Sequence, residues 1–279
     1  MKLSRITALG ALALLVTLSA GCGMVNRIRA KNSLNEGAKA YRAGDYKLAE
    51  QKFRESYELD PTQKNAPTLI ARAIMQQYKP GVEKPENAQK AQAALEEYQK
   101  ILTNDPNNEE AFNAIVYLYR QTKNEEKERE WLVQRANLST VPNEKRAVAN
   151  IILASKQWDC AYDITEANKK TDPVKATIKY EKPANTADFE KALGCVREGL
   201  KLSEQAISLD ASNANAWSQK ANLLREMSKL SEMDGNTAQK DEYDKQFQAA
   251  LEKHTQLSEE ARKKKEAEEA AKPQKAPAS

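Results

Sequence analysis

The sequence has 279 residues, with 44 lysines and arginines against 40 aspartates and glutamates and a formal net charge of +4. This near balance gives no electrostatic reason to expect a nucleic-acid partner. Apart from Cys22, the sequence has one histidine, His254, and two cysteines, which are too few for a zinc site or a Ser-His-Asp triad, and we expect His254 to be a solvated surface residue. We therefore predict no metal, no cofactor and no enzymatic activity. Glycine and proline are sparse, as in a mostly helical protein.

The first residues have the three parts of a secretory signal. Lys2 and Arg5 are positive, residues 6–18 are apolar or weakly polar, and small residues at 19–21 precede Cys22. The apolar run is shorter than the roughly 20 residues that a membrane-spanning helix needs. A charged start, a short apolar run and a small-residue cleavage site predict a signal peptide over residues 1–21, which is removed on export.

Residues 18–22, Leu-Ser-Ala-Gly-Cys, resemble the lipobox of bacterial lipoproteins. The resemblance implies that the Cys22 sulfur receives a diacylglyceryl group and that cleavage exposes an amine for a further acyl chain. Leu18 stands one place further from the cysteine than in the commonest form of the box. The alternative is an ordinary secretory signal with an accidental cysteine. Two or more acyl chains would anchor the protein firmly to a membrane.

Residues 22–30 would then form a lipidated tether to the first repeat helix, which we expect to begin at about Lys31. Fully extended, such a tether reaches roughly 30 Å. Arg27, Arg29 and Lys31 either touch anionic lipid headgroups or are solvated linker charges. Gly23 is not the aspartate that commonly retains lipoproteins at the inner membrane. The resemblance therefore implies the periplasmic face of the outer membrane in a two-membrane bacterium.

Internal repeats organise the rest of the chain. A helix-turn-helix unit needs small residues where its helices cross, aromatic residues beside the crossing, a glycine at the turn and a proline after the second helix. The first unit has all of these at the spacing of a tetratricopeptide repeat (TPR), a 34-residue unit. The matching residues are Gly37, Gly44, Tyr46, Ala49, Phe53 and Pro61.

A second unit ends at Pro106. It is longer than the standard 34-residue period, and the surplus matches a loop over residues 79–87 that is rich in helix-breaking residues. The second helix of this unit has small and apolar residues at the expected positions, namely Ala94, Tyr98, Ile101 and Leu102.

The following units are degenerate. Residues 107–136 form a third, weaker unit, and helices at about 143–155 and 158–165 resemble a fourth pair. Residues 168–186 break the pattern, because they contain two prolines and little hydrophobic periodicity. We predict an irregular inserted loop over that segment.

The helical pattern resumes over residues 187–209, and residues 213–230 form a good first helix of a last unit. Residues 258–279 have no apolar stripe and end in alanines and prolines, so we predict a disordered tail there. The repeat domain would therefore fill residues 31–257 with four or five units. The second helix of the last unit has the apolar positions Tyr243, Phe247, Ala250 and Leu251.

The chain resembles the tetratricopeptide lipoproteins of bacteria over most of its length. This resemblance implies an all-α, TPR-type α-solenoid, a right-handed superhelix of helix-turn-helix pairs with a concave groove lined by first helices. Amides, arginines and tyrosines at the groove positions suit an extended peptide, although polar residues on a helix face are often simply solvated. The matching positions here are Tyr41, Arg42, Asn113, Tyr117, Arg120, Gln121, Ser218, Asn222 and Arg225.

The same resemblance implies a membrane-anchored scaffold that binds envelope proteins or peptides. Members of the family serve in outer-membrane barrel assembly, pilus biogenesis and cell-wall enzyme regulation. The alternative class is a lipoprotein enzyme or a solute-binding protein of the envelope. We favour the scaffold, because the sequence lacks a catalytic constellation.

Two cysteines remain after Cys22. Cys160 and Cys195 flank the predicted insertion, and an exported protein meets an environment in which disulfides persist. A bridge would close a loop and stabilise the fold by about 3 to 4 kcal/mol in the chain-entropy account. Two small, buried, unpaired cysteines are the alternative.

Overall fold

A computed structural model describes residues 3–173 and 176–271, with side chains from residue 23 onward. The chain divides after Glu128 into two compact units, which we call the N-terminal and C-terminal units. The described residues form ten helices and a two-stranded sheet: α1 (Leu3–Arg42), α2 (Tyr46–Leu59), α3 (Ala66–Met75), α4 (Pro85–Asn104), α5 (Glu109–Gln121), α6 (Glu125–Asn137), α7 (Asn143–Ala167), β1 (Lys169–Asp172), β2 (Thr177–Tyr180), α8 (Thr186–Leu209), α9 (Ala214–Met233) and α10 (Thr237–Ala270).

The first repeat of the N-terminal unit is confirmed by the packing of α1 against α2. A Cβ added to Gly37 would lie 2.6 Å from the Phe53 ring, so the two helices cross there with no room for a side chain. Gly44 has a positive φ of +81° at the turn, a conformation that costs glycine little. Asp45 then caps α2 by accepting a 3.0 Å hydrogen bond from the amide of Leu48.

The second repeat pairs α3 with α4, and the loop between them has a defined structure. The Asn87 amide group ties this loop together, because its Oδ1 accepts from the amide of Lys79 and its Nδ2 donates to the carbonyls of Lys79 and Val82, all at 2.8 Å. The predicted second-helix residues Ala94, Tyr98 and Ile101 are buried.

Two predictions are wrong in the C-terminal unit. Residues 143–167 form one continuous helix, α7, instead of two short helices, because Lys156 and Gln157 favour helix and no glycine or proline interrupts the segment. The partner of α7 is α8. Within the segment 168–186, predicted to be an irregular loop, β1 and β2 form an antiparallel pair in which Lys170 lies opposite Lys179.

The last repeat pairs α9 with α10 across a turn at Gly235, whose φ is +74°. Helix α10 continues to Ala270, so residues 258–270 are helical where we predicted disorder, and residues 272–279 lie outside the described part of the chain. His254 is half-buried, and its Nδ1 lies 2.9 Å from the carbonyl oxygen of Ala214. It therefore links α10 to the start of α9 and is not a solvated residue.

Residues 22–30 are helical as part of α1 and do not form an extended tether. Packing against the repeat begins at Ala30, which is buried and whose carbonyl accepts a 2.7 Å hydrogen bond from Ser56 Oγ. Residues 1–2 of the predicted signal peptide and the side chain of Cys22 lie outside what the structure describes.

Within the described residues, no helix combines the length and the apolar character that crossing a membrane requires. Packed pairs of consecutive helices build both units, namely α1 with α2 and α3 with α4 in the first and α7 with α8 and α9 with α10 in the second. The protein is therefore a TPR-type α-solenoid that carries a β-hairpin between α7 and α8.

Candidate protein-binding surface

Three side chains of α5 lie along one stripe of the helix surface: Asn113 and Tyr117, which were predicted, and Glu110, which was not. Asn108 caps the helix through a 3.0 Å hydrogen bond from the amide of Ala111 to its Oδ1. The apolar side of α5 is buried in the core, which leaves Glu110, Asn113 and Tyr117 facing away from it at helical spacings of three and four. Tyr117 is 39% exposed, a large aromatic side chain available for contact.

An ion pair joins this stripe to α3. The guanidinium of Arg72 makes two parallel hydrogen bonds, from Nε and Nη2, to the two carboxylate oxygens of Glu110. The hydrogen bonds to Glu110 raise the pKa of Arg72. Bidentate pairs of this kind fix geometry as well as adding energy. The pair therefore holds the first helices of the second and third repeats in register.

Tyr41 extends the surface to α1. Its ring meets the ring of Tyr46 edge to face, with centroids 5.2 Å apart, and its hydroxyl contributes to the electrostatic environment of Arg72. We call the set Tyr41, Arg72, Glu110, Asn113 and Tyr117 the A-helix face, because these residues come from the first helices α1, α3 and α5 of successive repeats.

Arg72 and Glu110 were missed by sequence reasoning. Helix α3 is apolar on most sides and buries Ile70 and Ile74, so its sequence shows no clear stripe that would mark one face as a groove. The two paired residues are 38 positions apart. The acidic first turn of α5 was the available signal for Glu110, and it was consistent with simple helix capping.

The other three predicted groove residues of the N-terminal unit have different surroundings. Arg42 is exposed at the end of α1. Arg120 donates from Nε and Nη2 to one oxygen of the buried Glu128, at 3.1 and 2.9 Å, so α6 holds its guanidinium. Gln121 lines a separate cleft of about 370 Å³ with Tyr78 and the α3–α4 loop.

The predicted groove residues of the C-terminal unit lie on α9. Ser218 and Asn222 are partly exposed. Arg225 instead packs on α10: it donates a 3.2 Å hydrogen bond to Asp244 and lies 5.6 Å from the centre of the Phe247 ring. Arg225 is exposed as well as paired, so its assignment to a groove stays a prediction.

A buried charge cluster fastens the hairpin to α7 and α9. Lys229 Nζ donates to Glu226 Oε1 at 2.8 Å and to Glu166 Oε1 at 2.9 Å. Thr165 donates to the other oxygen of Glu226 at 2.5 Å, and the Tyr180 hydroxyl of β2 donates to Glu166 at 3.0 Å. Each buried charge thus has an opposite charge and further hydrogen bonds, as buried ions require.

The pKa values of this cluster follow from its contacts. The hydrogen bond from Lys229 lowers the pKa of Glu166 to about 2. Burial alone would lower the pKa of Lys229, but the hydrogen bonds to Glu226 and Glu166 outweigh it and the net shift is upward. Glu166 and Lys229 are therefore both charged at neutral pH, and the cluster serves structure.

Cys160 of α7 and Cys195 of α8 are joined by a disulfide, with their Cα atoms 6.2 Å apart. The bond links the two long helices themselves and lies several residues from either end of the hairpin. It thus crosslinks the α7–α8 pair and does not directly clamp the inserted segment.

The sequence matches no protein-family model, and no curated protein matches it. Among solved structures it is similar to a MamA protein, at 15% identity over 83% of this chain and 94% of that chain with a TM-score of 0.42. It is also similar to Pseudomonas aeruginosa pilF (12% identity, 84% and 99% covered, TM-score 0.36) and to a tetratricopeptide repeat protein from Parabacteroides merdae (14%, 82% and 97%, 0.35). The TPR assignment here rests on the helix pairs and on the contact of Gly37 with Phe53.

Proposed function

We propose that this protein is a lipid-anchored TPR scaffold of the bacterial cell envelope, which binds a partner protein or peptide on the A-helix face. The anchor would be the acylated Cys22, at the periplasmic face of the outer membrane. The observation that carries the binding proposal is the alignment of Arg72, Glu110, Asn113 and Tyr117 on the first helices of neighbouring repeats.

The chemistry of these side chains suits a polypeptide ligand. The amide of Asn113 both donates and accepts hydrogen bonds, as a peptide backbone does. Tyr117 offers a large ring with a polar end, the kind of side chain enriched at the centres of protein interfaces. Arg72 and Glu110 hold each other in place, so the surface is ordered before a partner arrives and loses less entropy on binding.

The proposal makes the protein a binding protein in preference to an enzyme or a solute-binding protein. The side chains of the A-helix face are exposed or half-exposed and spread over three helices, which fits an extended partner. A small solute is usually held in a concave pocket that surrounds most of its surface.

Site-specific photocrosslinking in cells tests the proposal. A photoreactive side chain replaces Tyr117 in one variant and Tyr57 in a matched control. Tyr57 is similarly exposed, at 38%, but it belongs to the second helix α2 and lines a different cleft. We expect a defined partner in the membrane fraction from position 117 and none from position 57. Equal capture from both positions, or capture from position 57 alone, would contradict the proposal.

Lipidation is tested separately by mass spectrometry of the N-terminal peptide of the processed chain. We expect a peptide that begins at Cys22 and carries the mass of the acyl groups. An unmodified Cys22 would refute the anchor and leave the binding surface untouched.

A further inference from the structure

The start of the mature chain has an exposed apolar stripe for which the repeats provide no partner. Met24, Val25 and Ile28 are 70%, 53% and 55% exposed. At 3.6 residues per turn these three positions fall within an arc of about 100°, the width of the apolar stripe of an amphipathic helix. Ala30 and Ser33, which are buried against the first repeat, lie on the opposite side of α1.

Positive charges border this stripe. Arg27 lies on one side of the apolar arc and Arg29 on the other, and Lys31 lies about one turn after Arg27; all three side chains are exposed. An apolar stripe bordered by arginine and lysine is the pattern of helices that lie in the plane of a membrane surface. Basic residues next to such a stripe are attracted to the anionic headgroups of the bilayer surface.

The helical form of residues 22–30 brings this stripe close to the proposed anchor. Cys22 precedes Val25 by three residues, which places the two positions next to each other on one helix face. Ile28 lies only about 9 Å from Cys22 along the helix axis, at 1.5 Å per residue. A lipid chain on Cys22 would therefore hold the stripe at the bilayer surface. An extended tether, in contrast, would let the first repeat move away from the bilayer.

We propose that residues 24–31 form an in-plane membrane-contact helix that docks on an anionic bilayer surface. The proposal rests on the proposed anchor at Cys22 and adds a second point of attachment to it. Met24, Val25 and Ile28 enter the headgroup region, while Arg27, Arg29 and Lys31 pair with anionic headgroups. Because α1 continues into the first repeat without a break, this contact also fixes the orientation of that repeat relative to the membrane.

Lipid photocrosslinking of the full, processed chain tests this contact. A diazirine side chain replaces Ile28 in one variant and Leu48 in the matched control, since Leu48 is also an exposed aliphatic residue but lies on α2. The proteins are reconstituted in vesicles of phosphatidylcholine alone or of equal parts phosphatidylcholine and phosphatidylglycerol. We expect position 28 to capture lipid at least tenfold more than position 48, with more capture on the anionic vesicles.

A charge variant tests the electrostatic part. Arg27→Gln, Arg29→Gln and Lys31→Gln together should lower capture on the anionic vesicles at least tenfold, since each charge contributes roughly a fivefold effect, and should not change it on neutral vesicles. The substituted side chains are exposed, so circular dichroism and the thermal midpoint should match the parent protein.

Three results would overturn the membrane-contact helix. Position 28 could capture no more lipid than position 48, it could capture a second copy of the chain or another protein instead of lipid, or its capture of lipid could be the same on both kinds of vesicle. The mass of the N-terminal peptide is measured on the same samples. An unmodified Cys22 counts against the anchor, whereas lipid capture at position 28 reports on the helix face alone.

Discussion

Replacing Lys229 with methionine should show how much the buried charge cluster stabilises the C-terminal unit. Lys229 is 7% exposed and Glu226 is 2% exposed, and their 2.8 Å contact is shielded from solvent. Lys229→Met leaves the Glu226 carboxylate buried with the Thr165 hydroxyl but no opposite charge. Breaking a buried pair in this way costs about 3–5 kcal/mol. We therefore expect the free energy of unfolding to fall by that amount at neutral pH.

The assay is guanidinium unfolding followed by circular dichroism, with two comparison variants. Arg225 lies on the same helix as Lys229, and Arg225→Met removes its partly exposed ion pair with Asp244 of α10. Such surface pairs contribute about 1 kcal/mol or less to stability. The double variant Lys229→Met/Glu226→Met removes both buried charges, and it should recover most of the lost stability, because replacing a whole buried pair with apolar residues is often neutral.

Two outcomes would refute this reasoning. A loss of stability in Lys229→Met no larger than that in Arg225→Met would mean that the cluster is effectively solvated. A double variant that loses at least as much stability as Lys229→Met alone would mean that removing the second charge relieves nothing.

Three further predictions concern the rest of the fold. Glu166 has a pKa lowered to about 2 from 4.5, so its contribution is complete above pH 4.5 and is lost as pH falls toward 2. Between pH 4.5 and 2 the free energy of unfolding in urea should fall by about 1–2 kcal/mol, after allowance for partial exposure, and Glu166→Gln should abolish this fall. The same dependence on pH in the parent protein and in Glu166→Gln would contradict the prediction. Gly37→Ala should destabilise the fold by about 1–3 kcal/mol through overpacking. Gly194→Ala, with open space around the new methyl group, should stabilise it by about 0.5–1 kcal/mol. Thermal midpoints that shift in the same direction in both variants would contradict the packing argument. Reduction of Cys160–Cys195 should cost about 3–4 kcal/mol, and titration of the unfolded protein should find two thiols only after reduction; two thiols before reduction would rule out the bond.

The strongly periodic repeats could be predicted from the sequence because their signals are local. Gly37 and Phe53 stand at fixed distances within one repeat, and the structure brings them into the expected close contact. Helix α7 was divided wrongly, since the apolar positions around residue 156 lose their period although the helix continues. The hairpin was missed because its strands have only four residues each, too few for an alternating pattern to stand out.

The candidate surface was predictable only in part. Asn113 and Tyr117 follow from the periodicity of α5, but the pair of Arg72 with Glu110 joins two helices and has no local signature. Arg225 is exposed at a groove position of its repeat and also donates a hydrogen bond to Asp244 of the next helix, a contact that the repeat pattern does not reveal. Long-range pairing of charges decides such cases, and a single sequence does not record it.

The affinity of the A-helix face for its captured partner tests the central claim most directly. The partner recovered from position 117 is titrated against the parent protein, the variant Asn113→Ala/Tyr117→Ala and the control Tyr57→Ala by isothermal calorimetry. Loss of an aromatic residue at the centre of an interface costs about 2 kcal/mol or more, so the double variant should bind at least tenfold more weakly while the control binds as tightly as the parent. Equal affinities for all three proteins would contradict the claim that this face is the binding surface.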